Sequence, residues 1–202
     1  MKSNYCIIKK AISPELCSFL YNHLLLLDKR FLTLSHSRYI SVFNSDYGTI
    51  QDGQVPGAFA IYSDPAFETL LVKVKPILEK TVNKKLIEAY SYARLYKIGN
   101  ALNRHKDRYS CEFSCTLHLG GEKWPLFLEP SGKTNKKGVR VDLNPGDLLA
   151  YKGCDVEHWR EPLRGELCGQ VFLHYNKNDK KGRTNQYDKR AHLGLPVWFQ
   201  NK

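Results

Sequence analysis

No stretch of this 202-residue chain approaches the ~20 consecutive apolar residues that a membrane-spanning helix needs. The N-terminus, with Lys2, Lys9 and Lys10 around a short apolar run, offers no small-residue cleavage site, so no secretory leader is expected. Six cysteines (Cys6, Cys17, Cys111, Cys115, Cys154, Cys168) include no CxxC, which argues against zinc-ribbon chemistry. Without a leader they read as reduced, mostly buried thiols of a cytoplasmic protein. There is no internal repeat, no low-complexity linker, and no Ser/His/Asp or Cys/His pattern of a nucleophilic enzyme. Positive charge is plentiful, at a net +11. It is spread, with local density at Lys133–Lys137 and from Lys177 to Arg190, and no helix carries a basic stripe. A solvated surface accounts for it better than nucleic-acid binding, which the charge leaves open without a supporting motif.

The length fits one domain with a substantial core. Tyr5–Ile8 reads as a short strand, and Ser13-Pro14 opens a helix over 14–28, with His23 as a packed core-edge residue. Residues 31–57 have no clear period and read as a loop of functional length, a lid or substrate-facing segment. Its Tyr39, Phe43 and Tyr47 either line a pocket or anchor the loop. Asp64-Pro65 opens a second helix over 65–83 that Pro76 should kink or split. From Leu86 the period becomes two, with Tyr90, Tyr92, Arg94 and Tyr96 on one strand face. Such a face suits the wall of a polar cavity that binds oxyanions; an exposed edge strand is the plainer reading. Further short strands follow at 113–119, 124–129, 139–143, 148–151 and 167–175, at about ten-residue spacing. Two helices followed by such strands imply a mainly β sandwich or barrel buttressed by helices.

Within the strands lies Arg104-His105-Lys106-Asp107. Residues two apart in extended backbone leave the chain on the same side, so His105 and Asp107 converge. With seven His and ten Asp, an HxD alone is a common accident. A third ligand type arrives at His158, and two imidazoles with one carboxylate suit non-haem Fe(II) with open coordination positions. Trp159 and Phe172 either wall such a site or are plain core.

The order HxD, Leu119-Gly120-Gly121, Asn144-Pro145-Gly146-Asp147, then a distal His in Gly153 to Arg160, resembles the 2-oxoglutarate- and Fe(II)-dependent dioxygenases. It is most similar to their prolyl-4-hydroxylase-like branch with viral and bacterial members, and Arg94-Leu95-Tyr96, Gln170 to Tyr175 and Ile12 to Cys17 extend the likeness. The resemblance implies a double-stranded β-helix, a cupin-like jelly roll over about 86–176, with a helical buttress over about 1–85 and a basic tail over 177–202 docked by Leu193, Leu195, Val197, Trp198 and Phe199. It implies Fe(II) held by His105, Asp107 and His158, Tyr96 reaching 2-oxoglutarate, and O2 as oxidant. The activity implied is hydroxylation of a peptide or amino-acid C–H bond, prolyl by default, with release of succinate and CO2. With no leader expected, a cytoplasmic enzyme follows, and the viral members of the branch leave room for one encoded by a phage or virus and acting in the host cytoplasm. One departure stands out: where the family has a cation about nine to eleven positions after the distal His, this chain has Leu167, Cys168 and Gly169. A buried carboxylate needs a partner. The nearest choices are Arg160 and Arg164 in the turn after His158, then Arg94, with Gln170 adding a neutral hydrogen bond and His118 a more distant choice; Arg160 is preferred. The competing readings are a non-catalytic cupin-like binding module and a nucleic-acid-modifying oxygenase.

Overall fold

Residues 4–200 are described by the computed structural model; residues 1–3 of the expected buttress, with Lys2, and residues 201–202 of the expected tail lie outside the described residues. Both proline-marked helices start where their caps place them. In α1 (Pro14–His36) the Ser13 hydroxyl accepts from the Leu16 amide, and in α2 (Pro65–Val82) the Asp64 carboxylate accepts from Ala66 and Phe67. Helix α1 outruns the expected 14–28 because its buried stripe of Cys17, Leu20, Leu24 and Leu27 continues to Phe31. The first six residues of the expected 31–57 loop are therefore helical. Helix α2 runs through Pro76 without being split. The carbonyl that loses its donor belongs to Val72, on the exposed side, where solvent can satisfy it.

Among the described residues, ten strands form two antiparallel sheets. The larger contains β1 (Tyr5–Ile8), β2 (Phe59–Tyr62), β3 (Leu86–Lys97), β5 (Phe113–Gly121), β8 (Leu148–Tyr151) and β10 (Leu167–Lys177), in the order β1-β8-β5-β10-β3-β2. The smaller contains β4 (Leu102–His105), β6 (Leu126–Glu129), β7 (Val139–Val141) and β9 (Glu157–Arg160), in the order β4-β9-β6-β7. This is the expected jelly roll. Strand β2 had no clear sequence signal, and with β1 it supplies both edges of the large sheet. The first 85 residues thus contribute strands as well as helices.

Register gives the large sheet two unlike faces. Ala93 pairs with Val171 and Leu95 lies one repeat on; with Leu117 and Leu173 they pack against the helices in one core with Leu24, Phe31, Phe67 and Leu71. Their neighbours Tyr92, Arg94, Thr116, His118, Gln170, Phe172 and His174 alternate to the opposite face, inside the roll. Apolar matter is thereby spent on the helix side, and the interior of the roll is left polar. Gly120 lies against α1, where a Cβ would come within 2.7 Å of the Tyr21 ring.

After β10 the chain returns across the open end of the roll. Of the expected docking residues, Leu193 packs on the core, whereas Val197, Trp198 and Phe199 are substantially exposed. Buried charge does most of the anchoring. Arg190 and Glu68 form an ion pair of 2.9 Å at essentially zero exposure. Asp188 accepts from Arg108 at 2.6 and 2.8 Å, Ser110 at 2.6 Å and Tyr62 at 2.9 Å. Tyr187, Asp188 and Lys189 all have positive φ (53°, 56° and 68°), a strained run that these bonds hold in place.

Burial would raise the Asp188 carboxyl, but its bonds to Arg108 and Ser110 hold it at about 2, below the ordinary value. A depressed carboxyl contributes stability that is complete above the unfolded-state pKa and lost as pH falls through the folded one. Asp188→Asn is expected to be less stable than the parent at pH 7, with the difference closing between about pH 4 and pH 2. Urea unfolding across that range measures it; a constant difference contradicts the assignment.

Candidate metal centre

His105 closes β4, and its Cα partner across the ladder is His158 in β9. The two rings stand 4.2 Å apart between centroids. Asp107 lies just past β4, with its amide donating to the Gly153 carbonyl at 2.9 Å. Its Oδ1 is 3.5 Å from Nε2 of His105 and 3.5 Å from Nε2 of His158. These three ligand atoms lie within 4.8 Å of one another, a spacing that a single ion can gather.

Both imidazoles are turned the same way for one reason. The carbonyls of Asn103 (2.8 Å) and Val156 (3.0 Å) can only accept, so each Nδ1 carries the proton and each Nε2 presents a lone pair to the centre. Tyr151 lies against His158, its hydroxyl 3.3 Å from Nε2. Burial pushes His158 down and keeps it neutral. For His105 burial acts in the same sense, but the bond to Asp107 outweighs it and raises the pKa. For Asp107 burial would raise the carboxyl; the His105 bond, the fields of His158 and His174 and the Ser114 hydroxyl hold it well below the carboxylate range. Asp107 is an anion and His158 a neutral base, the states that a divalent metal requires, whereas Asp107 favours the protonated form of His105, which would give up its Nε2 proton to a metal.

The triad opens on a cleft of about 870 Å³ whose walls include Tyr62, Tyr90, Tyr92, Arg94 and Phe172. The tyrosine-arginine strand face is thus a cavity wall rather than an exposed edge. Within the 31–57 segment, Tyr39 and Phe43 are exposed and Tyr47 packs on the core. Asp52 and Gln54 are the residues that reach the centre. Asp52 accepts from Tyr92 and Arg94, and Gln54 accepts from Arg94 at 3.2 Å while its amide nitrogen sits 3.0 Å from Nε2 of His105.

The candidate anchors for a second carboxylate part company. Arg94 is already neutralised by Asp52. Arg164 is exposed on the loop after β9. Arg160 lies within β9, not in a turn, and is 2 % exposed. It donates to the Trp124 carbonyl and lies over the Trp124 ring, its Nε has no partner, and among the described residues no carboxylate pairs with it. Burial lowers its pKa, as expected of a cation without a counter-ion. His118 nearby accepts from Gln170 at Nδ1 (3.0 Å), so its partnerless Nε2 carries a proton with nothing to receive it. Burial and the Arg160 charge lower His118 to about 4. Tyr96 is fully buried against Trp124, and Phe172 touches both this chamber and the cleft. Trp159 alternates to the outer face, stacked on Phe127 and beneath Arg104.

Asp52, Gln54, Ser114 and His174 were absent from the sequence-derived site. Ser114 and His174 sit on strands whose alternation was legible, so their inward direction was available; Asp52 and Gln54 lie in irregular backbone that carried no such signal.

No protein-family profile matches the chain, and no curated protein matches it. Solved structures do. A prolyl-4-hydroxylase from Pseudomonas putida superposes with a TM-score of 0.62 at 15% identity, over 88% of this chain and 94% of that one. HygX from Streptomyces hygroscopicus, with nickel and 2-oxoglutarate bound, gives 0.62 at 11% identity over 87% and 84%. A prolyl hydroxylase from Trichoplax adhaerens, in complex with a hypoxia inducible factor peptide fragment, gives 0.59 at 18% identity over 90% and 86%. The jelly roll of this chain is the fold of the prolyl-4-hydroxylases and other 2-oxoglutarate/Fe(II) oxygenases.

Proposed function

We propose that the chain is one 2-oxoglutarate/Fe(II) dioxygenase domain that hydroxylates a C–H bond of a peptide or amino-acid side chain, a prolyl residue being the first candidate. The observation that carries this is the convergence of Nε2 of His105, Nε2 of His158 and Oδ1 of Asp107 at the foot of a cleft. The donor set fits Fe(II), and the partnerless donors of Arg160 and His118 fit the far carboxylate of 2-oxoglutarate. Six free thiols suit a reducing cytoplasm.

Bound iron with 2-oxoglutarate and O2 would supply the oxidising power, with succinate and CO2 as the other products. The chain's own residues bind, orient and exclude water. His105, Asp107 and His158 would hold the metal, leaving positions for cosubstrate and O2. Arg160, with Tyr96, His118 and Gln170 beside it, compensates the cosubstrate's distal charge in a dry chamber. Phe172 and Tyr151 shield the centre from solvent, and no side chain is needed as a general base.

His158→Ala is expected to abolish divalent-metal uptake and to reduce succinate release to background, with the far-UV circular dichroism retained. Undiminished turnover refutes the assignment, and a parent chain that takes up no iron and releases no succinate favours a binding module. For the cosubstrate, Arg160→Ala should raise the 2-oxoglutarate requirement by roughly 10-fold or more, the scale of losing a buried charge partner, and Arg94→Ala by less. Steady-state titration of 2-oxoglutarate ranks the two, and the reverse order moves the anchor to β3.

A further inference from the structure

Asp107 has two oxygens in unlike surroundings. Oδ1 faces the two imidazoles. Oδ2 is turned away and receives the Ser114 hydroxyl at 2.8 Å. Ser114 is fully buried and has two further neighbours, the Cys111 carbonyl at 3.1 Å and Nδ1 of His174 at 3.0 Å. A hydroxyl has one proton to give, and Asp107 is its nearest, charged acceptor. His174 must then be the donor, so the bonds run from His174 Nδ1–H to the Ser114 oxygen and from Ser114 to Asp107. Ser114 and His174 are Cα partners on β5 and β10, both inside the roll, and the His174 ring is fixed against Tyr90 at 4.6 Å. Gly153 closes the remaining side: a Cβ there would lie 2.4 Å from Oδ2 and 2.6 Å from the Ser114 hydroxyl.

From this enclosure we infer that Ser114 and His174 are positioning residues that confine Asp107 to one-oxygen ligation. The inference rests on the metal-dependent reading above and goes beyond it. A carboxylate free to rotate would offer both oxygens to the ion and occupy four of six octahedral positions together with two imidazoles. Two would remain, whereas a chelating 2-oxo acid and O2 together require three. Holding Oδ2 on Ser114 keeps the third position open. The carboxylate of this centre is thus set by what binds its distal oxygen, and that partner carries no motif of its own.

The test uses the full chain loaded with Co(II), comparing the parent with Ser114→Ala, Ser114→Thr and His174→Leu. Cobalt affinity by calorimetry, the ligand-field absorption of the cobalt protein alone, and 2-oxoglutarate affinity of the cobalt form are read separately. In Ser114→Ala the cobalt affinity is expected within about threefold of the parent or tighter, because a second carboxylate oxygen replaces what the lost hydrogen bond held, with a changed cobalt spectrum and 2-oxoglutarate bound about tenfold more weakly, roughly 1.4 kcal/mol. Ser114→Thr, which keeps the hydroxyl, should restore both. His174→Leu should move both readouts in the Ser114→Ala direction, and it carries the test if Ser114→Ala does not fold. An unchanged spectrum with unchanged 2-oxoglutarate affinity overturns the inference, as does a loss of cobalt binding in parallel with thermal stability, which marks a merely structural role. A parent that binds cobalt but no 2-oxoglutarate removes the dioxygenase reading alone, because the cobalt spectrum still decides whether Asp107 changes its ligation. A parent that binds no cobalt removes both.

Discussion

The antiparallel register between β4 and β9 is the constraint from which the centre follows. It places His105 opposite His158, so that two residues fifty-three positions apart share one point in space. A slip of one residue would turn one imidazole to the outer face, where Trp159 now lies stacked on Phe127. The ladder between two short strands carries this demand, and the neighbouring β6 and the Trp124–Arg160 contacts keep it from sliding.

A second constraint is the division of labour between the faces of the large sheet. Helices α1 and α2 take up its apolar side chains, which frees the inner face to carry groups that a simple sandwich would have to exclude. Those groups are costly to bury unless paired. Most are: Arg94 with Asp52 and Gln54, Gln170 with His118, Ser114 with Asp107 and His174. Of the exceptions inside the roll, Nε of Arg94 belongs to a cation whose charge Asp52 balances. Nε of Arg160 and Nε2 of His118 lie at a cation that no carboxylate pairs with among the described residues, which is where a bound anion would best be received.

Much of this is legible in the sequence. Alternation from Leu86 onward gave the strands and the tyrosine-arginine wall, and the Ser-Pro and Asp-Pro caps gave the helix starts, because those signals are local. HxD and a distal His pointed to three side chains that the fold does bring together, since direction there follows from strand spacing. What escaped was decided by packing. Phe31 carries α1 a full turn and more past its apparent end, and β2 exists because β3 offers it an edge. The choice among Arg94, Arg160 and Arg164 turns on who else is present, and no property of an isolated arginine reveals that Asp52 has already claimed one of them.

The tail has a bearing on how the chain can be handled. Glu68 sits on the buried face of the first turn of α2; the Ser91 amide of β3 donates to it, and its counter-charge arrives from the tail, with the Arg190 guanidinium and the Gly194 amide. A shortened version ending before residue 190 would strand that carboxylate in a dry interior and strip the wall of the cleft in the same cut. The segment from Asp188 to Val197 is therefore a keystone set late in the arch, and the cleft reaches its finished shape only after it closes over α2.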